Sequence, residues 1–189
     1  MSRIVAGRAK GRRLQMPPGE ATRPTTDRVR EAVFSRITSW AGTAAQPAEE
    51  TLTGLAFCDL YAGSGAVGLE AASRGAAPVL LVESDRRAAE VARRNVIETG
   101  LGATVRTSTV EQLVGAAPTS AFDLIWADPP YELPTARLDR LIATLASGWL
   151  AQDGLLVVER SSRTEPPSWP DGFDAWTARY GETTVHFGQ

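Results

Sequence analysis

Cysteine and histidine are almost absent from this chain of 189 residues, which holds one of each, Cys58 and His186. A lone cysteine forms no intrachain disulfide, and one Cys with one His cannot assemble a Cys/His zinc site, so disulfide scaffolds and zinc chemistry are excluded. Lysine is as scarce: Lys10 stands alone among 20 Lys and Arg. No apolar run approaches the roughly 18 residues that a membrane-spanning helix needs. Met1-Ser2-Arg3-Ile4-Val5 lacks the apolar stretch of a signal peptide, so a soluble, cytoplasmic protein is expected. No internal repeat is visible, which removes solenoids and propellers. What is present is ordinary for a globular chain, with 43% hydrophobic and 22% charged residues. The length fits one domain, or one domain with a small appendage.

Net charge is -2, but unevenly spread. Residues 1–40 carry nine basic groups against Glu20, Asp27 and Glu31, while the remaining residues are strongly acidic. A basic segment on an acidic body suggests an arm that meets phosphates, joined to a domain with another task. Residues 3–7 and 12–16, separated by Arg8-Ala9-Lys10-Gly11, read as a short basic hairpin. A helix is expected from about Asp27 to Trp40, with Val29, Val33, Ile37 and Trp40 on one side and Thr26 as its cap. Residues 41–53 lack periodicity and read as a linker, which would make 1–40 a separate extension and 54–189 the main domain.

From Leu55 onward, short apolar strands alternate with helical patterns, as in βαβ units around a parallel sheet. Strands are expected at 55–60, 78–83, 103–107, 122–127 and 154–159, and helices at 66–74, 85–99 and 134–147, each closed by a glycine. Pro134 is expected in the first turn of the last helix. Residues 173–180 and 182–187 flank Gly181 and read as a terminal antiparallel hairpin. The fold class is therefore α/β, a Rossmann-like sheet, mostly parallel, with a small hairpin-and-helix extension in front.

Gly63, Gly65 and Gly68 form a G-x-G-x-x-G pattern between a strand and a helix, and Glu83 ends the next strand 20 residues after Gly63. Glycines let the backbone turn tightly against a ligand, and the acid can accept hydrogen bonds from ribose hydroxyls. Two cofactors compete for such a loop. A dinucleotide carries a pyrophosphate suited to the helix N-terminus. S-adenosylmethionine (SAM) has no phosphate but carries an ammonium, for which Asp59, at the exit of the first strand, supplies a negative charge. The segment from Asp59 to Glu70 resembles the first motif of class I SAM-dependent methyltransferases, and the terminal hairpin resembles the end of their sheet.

At the carboxyl end of strand 122–127 stands Asp128-Pro129-Pro130-Tyr131. Ligands of open α/β sheets bind outside the carboxyl ends of strands, so Asp59, Glu83 and Asp128 are expected in one crevice. Two prolines stiffen the turn and remove two amide donors, leaving carbonyls free. The Asp128 side chain and the Pro129 carbonyl could then accept both hydrogens of a planar amino group while Tyr131 stacks on the base. The tetrapeptide resembles the (Asp/Asn)-Pro-Pro-(Tyr/Phe) motif of methyltransferases that act on amino nitrogens of bases. Cys58, inside a strand and without a basic neighbour, is read as core; His186 is read as structural, and the tryptophans mostly as packing.

Only 62 residues separate Gly65 from Asp128, which leaves no insert to read a DNA sequence. The run Arg3-Ile-Val-Ala-Gly, then Lys10-Gly-Arg-Arg-Leu, then Thr22-Arg-Pro-Thr-Thr-Asp-Arg-Val-Arg-Glu-Ala-Val-Phe34 resembles the opening of the RsmD family, bacterial guanine-N2 methyltransferases of 16S rRNA. The resemblance covers nearly the whole chain. It implies a SAM cofactor, methylation of N2 of one guanine in small-subunit rRNA, and a partly assembled 30S particle as substrate, with the guanine flipped out of its stack. It assigns Asp128, Pro129, Pro130 and Tyr131 to catalysis. Asp59, Tyr61, Ala62, Gly63, Ser64, Gly65, Glu83 and Ser84 would hold SAM. Where such enzymes often place an acid near the adenine, this chain reads Arg106-Thr-Ser-Thr-Val-Glu111, which leaves Ser108 or Thr109 for that contact. Arg3, Arg8, Lys10, Arg12 and Arg13 are expected on phosphates, with Arg23, Arg28 and Arg30 on RNA or on the catalytic body. No metal is expected, and a monomer is the default. A DNA adenine-N6 methyltransferase and a non-catalytic RNA-binding assembly protein are the alternatives.

Overall fold

A computed structural model describes residues 2–17 and 26–189. Arg23, one of the expected RNA contacts, lies outside them. A small antiparallel ribbon comes first, β1 (Ser2–Arg3) with β2 (Arg13–Leu14), followed by helix α1 (Asp27–Trp40). The ribbon's strands are shorter than the expected 3–7 and 12–16: Ile4 still bonds across to Arg12 and Gly11, but the amides of Val5, Ala6, Arg8 and Ala9 turn to a helix of the main sheet layer. α1 has the expected bounds, and the Thr26 hydroxyl caps it by accepting from the Val29 amide.

The rest alternates strand and helix: β3 (Phe57–Leu60), α2 (Ala66–Ser73), β4 (Val79–Glu83), α3 (Arg86–Thr99), β5 (Thr104–Thr107), α4 (Val110–Val114), β6 (Phe122–Ala127) and α5 (Thr135–Thr144). A π-helical turn, Leu145–Trp149, leads into β7 (Leu150–Ser161), and β8 (Ala175–Tyr180) with β9 (Thr183–Gly188) closes the chain as an antiparallel hairpin. The sheet order is β5-β4-β3-β6-β7-β9-β8, with β5 through β7 parallel. The chain reverses its direction of travel between β3 and β6, which opens a crevice at the carboxyl ends of those strands.

Three departures from the sequence pattern have local causes. α4 was not expected: it is one and a half turns long, too short for a periodicity, and is held by a capping box in which Thr109 and Gln112 exchange side-chain-to-backbone bonds. Pro134 is the N-cap of α5, at φ −60° and ψ 141°, and not a first-turn residue. Gly148 does not stop that helix; it sits inside the π turn, and the following strand begins at Leu150, earlier than expected, because β7 carries an irregular stretch opposite Phe122 and Leu124 before its regular register starts.

Alternation along the strands splits the core into two layers. Phe57, Leu124, Trp126, Leu155 and Val157 face one layer with α1 and α2, while Cys58, Leu60, Ile125, Leu156 and Val158 face the other with α4 and α5. The first layer also contains Ile4, Leu14, Val33, Phe34, Ile37 and Leu52, so the N-terminal segment has no core apart from that of the sheet. Residues 41–54 contain turns and neither helix nor strand, yet they are packed: Leu52 is fully buried and its amide donates to the Arg74 carbonyl.

The clasp between arm and body is polar. Glu70, wholly buried in α2, accepts from the Val5 and Ala6 amides at 2.6 and 2.9 Å and pairs with Arg74 at 2.9 Å and Arg30 at 3.7 Å. One turn on, Ser73 accepts from the Arg8 and Ala9 amides and donates to the Ala6 carbonyl. Gly7 makes this approach possible: at φ +80°, a Cβ there would lie 2.0 Å from the Ser73 carbonyl oxygen. Glu70→Ala leaves two buried guanidinium groups without their shared carboxylate. It is expected to cost about 3–5 kcal/mol in urea unfolding; an unchanged midpoint and slope would contradict the clasp.

Candidate active site

A cavity of about 290 Å³ opens at the carboxyl ends of β3, β4 and β6. Asp59, Tyr61, Ala62, Gly63 and Ser64 line it from β3 and the glycine loop, Glu83 and Ser84 from β4, and Asp128, Pro129, Pro130 and Tyr131 from β6. Three acids far apart in sequence thus converge, as the parallel register requires.

The glycine loop is held by its own acids. The Gly68 amide donates to Asp59 at 2.8 Å, and the Gly63 amide donates to Glu83 at 2.8 Å. Gly65 caps α2 in the left-handed region at φ +80°. A Cβ on Gly68 would stand 2.2 Å from Leu81 Cδ2 and 3.2 Å from Asp59 Cβ, so only glycine lets α2 come this close to β3 and β4. Glu83 also accepts from the Asp85 amide at 2.7 Å, which fixes its carboxylate at the edge of the cavity.

Asp59 is 2% exposed, and burial pushes its carboxyl up to about 7; the Gly68 amide opposes this and the Glu83 charge adds to it. A cation entering beside Asp59 would relieve that cost. Tyr61 stands at φ +64°, and its hydroxyl is buried without a hydrogen-bond partner among the described residues. Burial, with the Glu111 charge, pushes that phenol up to about 12, so it remains neutral. Cys58 is buried and its thiol is pushed far up, in keeping with a core role.

Ser108 and Thr109, expected near an adenine, do not line the cavity. Thr109 is engaged as the N-cap of α4, and the buried Ser108 hydroxyl has no partner among the described residues. Of the two places expected for Arg30, the structure favours the body: 1% exposed, it bonds to Asp27 at 2.8 Å, to the Arg3 carbonyl and to Ser2, pairs with Glu70 at 3.7 Å and borders the cavity. Arg3, Arg8, Lys10, Arg12, Arg13 and Arg28 are exposed, with Arg3 paired to Asp27 at 3.3 Å and Arg12 donating to the Glu98 carbonyl at 2.8 Å.

Sequence reasoning passed over Met16 and Asn95. Met16, just past the ribbon, reaches the cavity wall. Asn95, fully buried in α3, accepts from the Gln15 amide at 2.8 Å and donates to the carbonyls of Gln15 at 3.0 Å and Ser64 at 2.9 Å. One side chain therefore ties the arm to the glycine loop. An Asn on the inner face of an amphipathic helix is the signal that could have found it, since a buried amide must be satisfied.

A parallel sheet reversing at β3/β6, with a glycine loop held by Asp59 and an Asp-Pro-Pro-Tyr turn across the same cavity, has the class I methyltransferase fold. The family described as "Conserved hypothetical protein 95" matches residues 2–189, and the chain belongs to it; the RsmD resemblance in the sequence and this match agree. The chain is 33% identical over 171 residues to the Escherichia coli protein named ribosomal RNA small subunit methyltransferase D, across 89% of this chain and 79% of that one. Among solved structures, a Thermus thermophilus protein superposes with TM-score 0.82 at 32% identity, covering 99% of this chain and 98% of that one. The Thermus thermophilus 16S rRNA N2 G1207 methyltransferase, solved with AdoMet and guanosine, shares the fold at TM-score 0.66 and 20% identity, over 91% of this chain and 44% of that one.

Asn95→Ala strands the Gln15 amide and the Ser64 carbonyl, so it is expected to destabilise the protein by about 1–3 kcal/mol. Denaturant titration measures this, and a loss well under about 0.5 kcal/mol would mean that the tie contributes little.

Proposed function

We propose that this chain transfers a methyl group from SAM to the exocyclic N2 of a guanine in small-subunit rRNA. The observation that carries the reading is the Asp128-Pro129-Pro130-Tyr131 turn facing Asp59, Gly63 and Glu83 across one cavity. The family and the name of its Escherichia coli relative support rRNA as the substrate class.

The residues fit SAM. Asp59 offers a buried carboxylate that a ligand ammonium would stabilise in its charged form, and Glu83, bonded to the Gly63 amide, offers a fixed acceptor for ribose hydroxyls at the cavity edge. When bound, SAM supplies a methyl group on a sulfonium, a reactive electrophile with a neutral thioether as leaving group. The task of the protein is then to aim a weak nucleophile. The N2 lone pair is delocalised into the guanine ring; Asp128 and the Pro129 carbonyl accept its two hydrogens and draw the lone pair out of conjugation. Tyr131, 50% exposed at the mouth, presents a ring face on which a flipped base can stack.

Arg3, Arg8, Lys10, Arg12, Arg13 and Arg28 form the exposed basic set that meets RNA phosphates. The substrate is a partly assembled 30S particle, and the enzyme acts as a monomer. Incubation with labelled SAM and small subunits, naked 16S rRNA, tRNA or DNA, followed by nucleoside analysis, tests the reading. N2-methylguanosine confined to small-subunit RNA is expected. N6-methyladenine in DNA would instead point to the related adenine chemistry of the same tetrapeptide, and SAM binding with no transfer would leave an assembly protein.

Asp128→Ala is expected to slow transfer by about 100-fold or more while SAM affinity in calorimetry changes little; full activity would refute the assigned chemistry. Because the Asp59 carboxyl lies near 7 without ligand, binding of a ligand ammonium should expel its proton. SAM affinity should therefore rise by up to about tenfold per pH unit below that value and level off above it. In Asp59→Asn the affinity should be low and flat across the same range.

A further inference from the structure

The Asp-Pro-Pro-Tyr turn is poor in backbone donors. Pro129, Pro130 and Pro134 remove three amide hydrogens from the seven residues between β6 and α5. Among the described residues its backbone amides make a long contact from Asp128 to the Leu60 carbonyl at 3.4 Å and one from Leu133 to the Pro130 carbonyl at 2.9 Å. Proline fixes φ but leaves ψ free, so the position of the turn over the cavity must be set from outside.

One such outside contact is Arg160. β7 runs parallel to β6, with Val158 opposite Ala127, and continues beyond the end of β6. Period-two alternation puts Arg160 on the same face as Leu156 and Val158, two residues past the last paired position and therefore beneath the turn. It is 2% exposed. Its guanidinium donates to the Pro130 carbonyl at 3.1 Å and to the Leu133 carbonyl at 2.9 Å, so the two terminal nitrogens span the turn as a fork. Among the described residues no donor reaches the Pro129 carbonyl, which leaves that acceptor for a ligand. The Asp128 charge also stabilises the buried cation, so the fork and the acid are electrostatically coupled.

We propose that Arg160 is a positioning residue for methyl transfer: its fork on the Pro130 and Leu133 carbonyls fixes the turn so that the Asp128 side chain and the Pro129 carbonyl point at the amino group of the substrate. This rests on the proposed function for its catalytic part, while the hold on the turn stands on geometry alone. Arginine suits the task because it keeps its charge and presents paired donors in a rigid plane, which lysine does not.

The test compares wild type, Arg160→Met and Arg160→Lys by amide hydrogen exchange, by steady-state methyl transfer to small-subunit RNA, and by calorimetry with SAM. In Arg160→Met, exchange at the Leu133 amide, which donates to the Pro130 carbonyl, should accelerate at least about tenfold while amides of β3 and β4 hold their rates. In the same variant kcat should fall by at least about 100-fold, with KM for RNA and SAM affinity within about threefold of wild type. Loss of kcat in proportion to lost folded protein would mark a merely structural role and overturn the proposal, as would unchanged exchange in the turn. If the Met variant does not fold, Arg160→Lys decides: a folded protein with kcat down about tenfold and intact SAM affinity supports the fork, and wild-type kcat and exchange overturn it. A wild-type chain that methylates no RNA would sink the proposed function by itself, and turn exchange would still decide what Arg160 does.

Discussion

The site depends on a constraint of chain geometry. Parallel strands must be joined by crossovers of one hand, so a sheet that grows outward in both directions from its middle has its connections leave on opposite faces where growth reverses. Here the reversal falls between β3 and β6. The connections diverge from the ends of those two strands, and whatever residues follow them face each other across the gap. The glycine loop follows one and the Asp-Pro-Pro-Tyr turn follows the other. Their chemistry differs, but their meeting is a consequence of topology.

Residues close in sequence to a recognisable turn were legible beforehand. Asp59, Gly63, Gly65 and Glu83 lie within two strands and the loop between them, so spacing alone carries their relationship, and all but Gly65 line the cavity. The strand and helix pattern from β3 to β5, and β6 after it, was legible for the same reason, though α4 was too short to show, and the sheet is mostly parallel with antiparallel terminal strands as expected. Glu70, Asn95 and Arg160 were not legible. Their partners are Val5 and Ala6, Gln15, and Pro130 and Leu133, which lie 27 to 80 residues away along the chain. Burial also contradicts their residue types: a carboxylate and a guanidinium on inward faces read as surface until their partners are known. For Arg30 the sequence left RNA and the body both open, since clustering with other basic residues says nothing of pairing with Asp27 and Glu70.

The two elements that face each other across the cavity are braced by different means. The glycine loop is tied by acids that accept its amides, Asp59 on Gly68 and Glu83 on Gly63, so the acids that line the cavity also serve the backbone. The proline turn has few amides to give and is braced by a cation on its carbonyls. Acceptors support the donor-rich loop and a donor supports the acceptor-rich turn. Each brace comes from a strand of the same sheet, which is stiffer than a loop could be.

The fusion of the arm with the sheet's core has a consequence for how such a protein can change over time. An arm with its own core can be lost, duplicated or exchanged for another as a unit. Here Ile4, Leu14 and Phe34 fill the same layer as Leu124, Trp126 and Val157, and the arm's amides are satisfied by Glu70 and Ser73 of α2. Replacing the arm would empty part of the catalytic core, and grafting it elsewhere would leave its apolar side and its amides without partners. Exposed positions on the arm are free to drift, while its inner face must keep pace with α2.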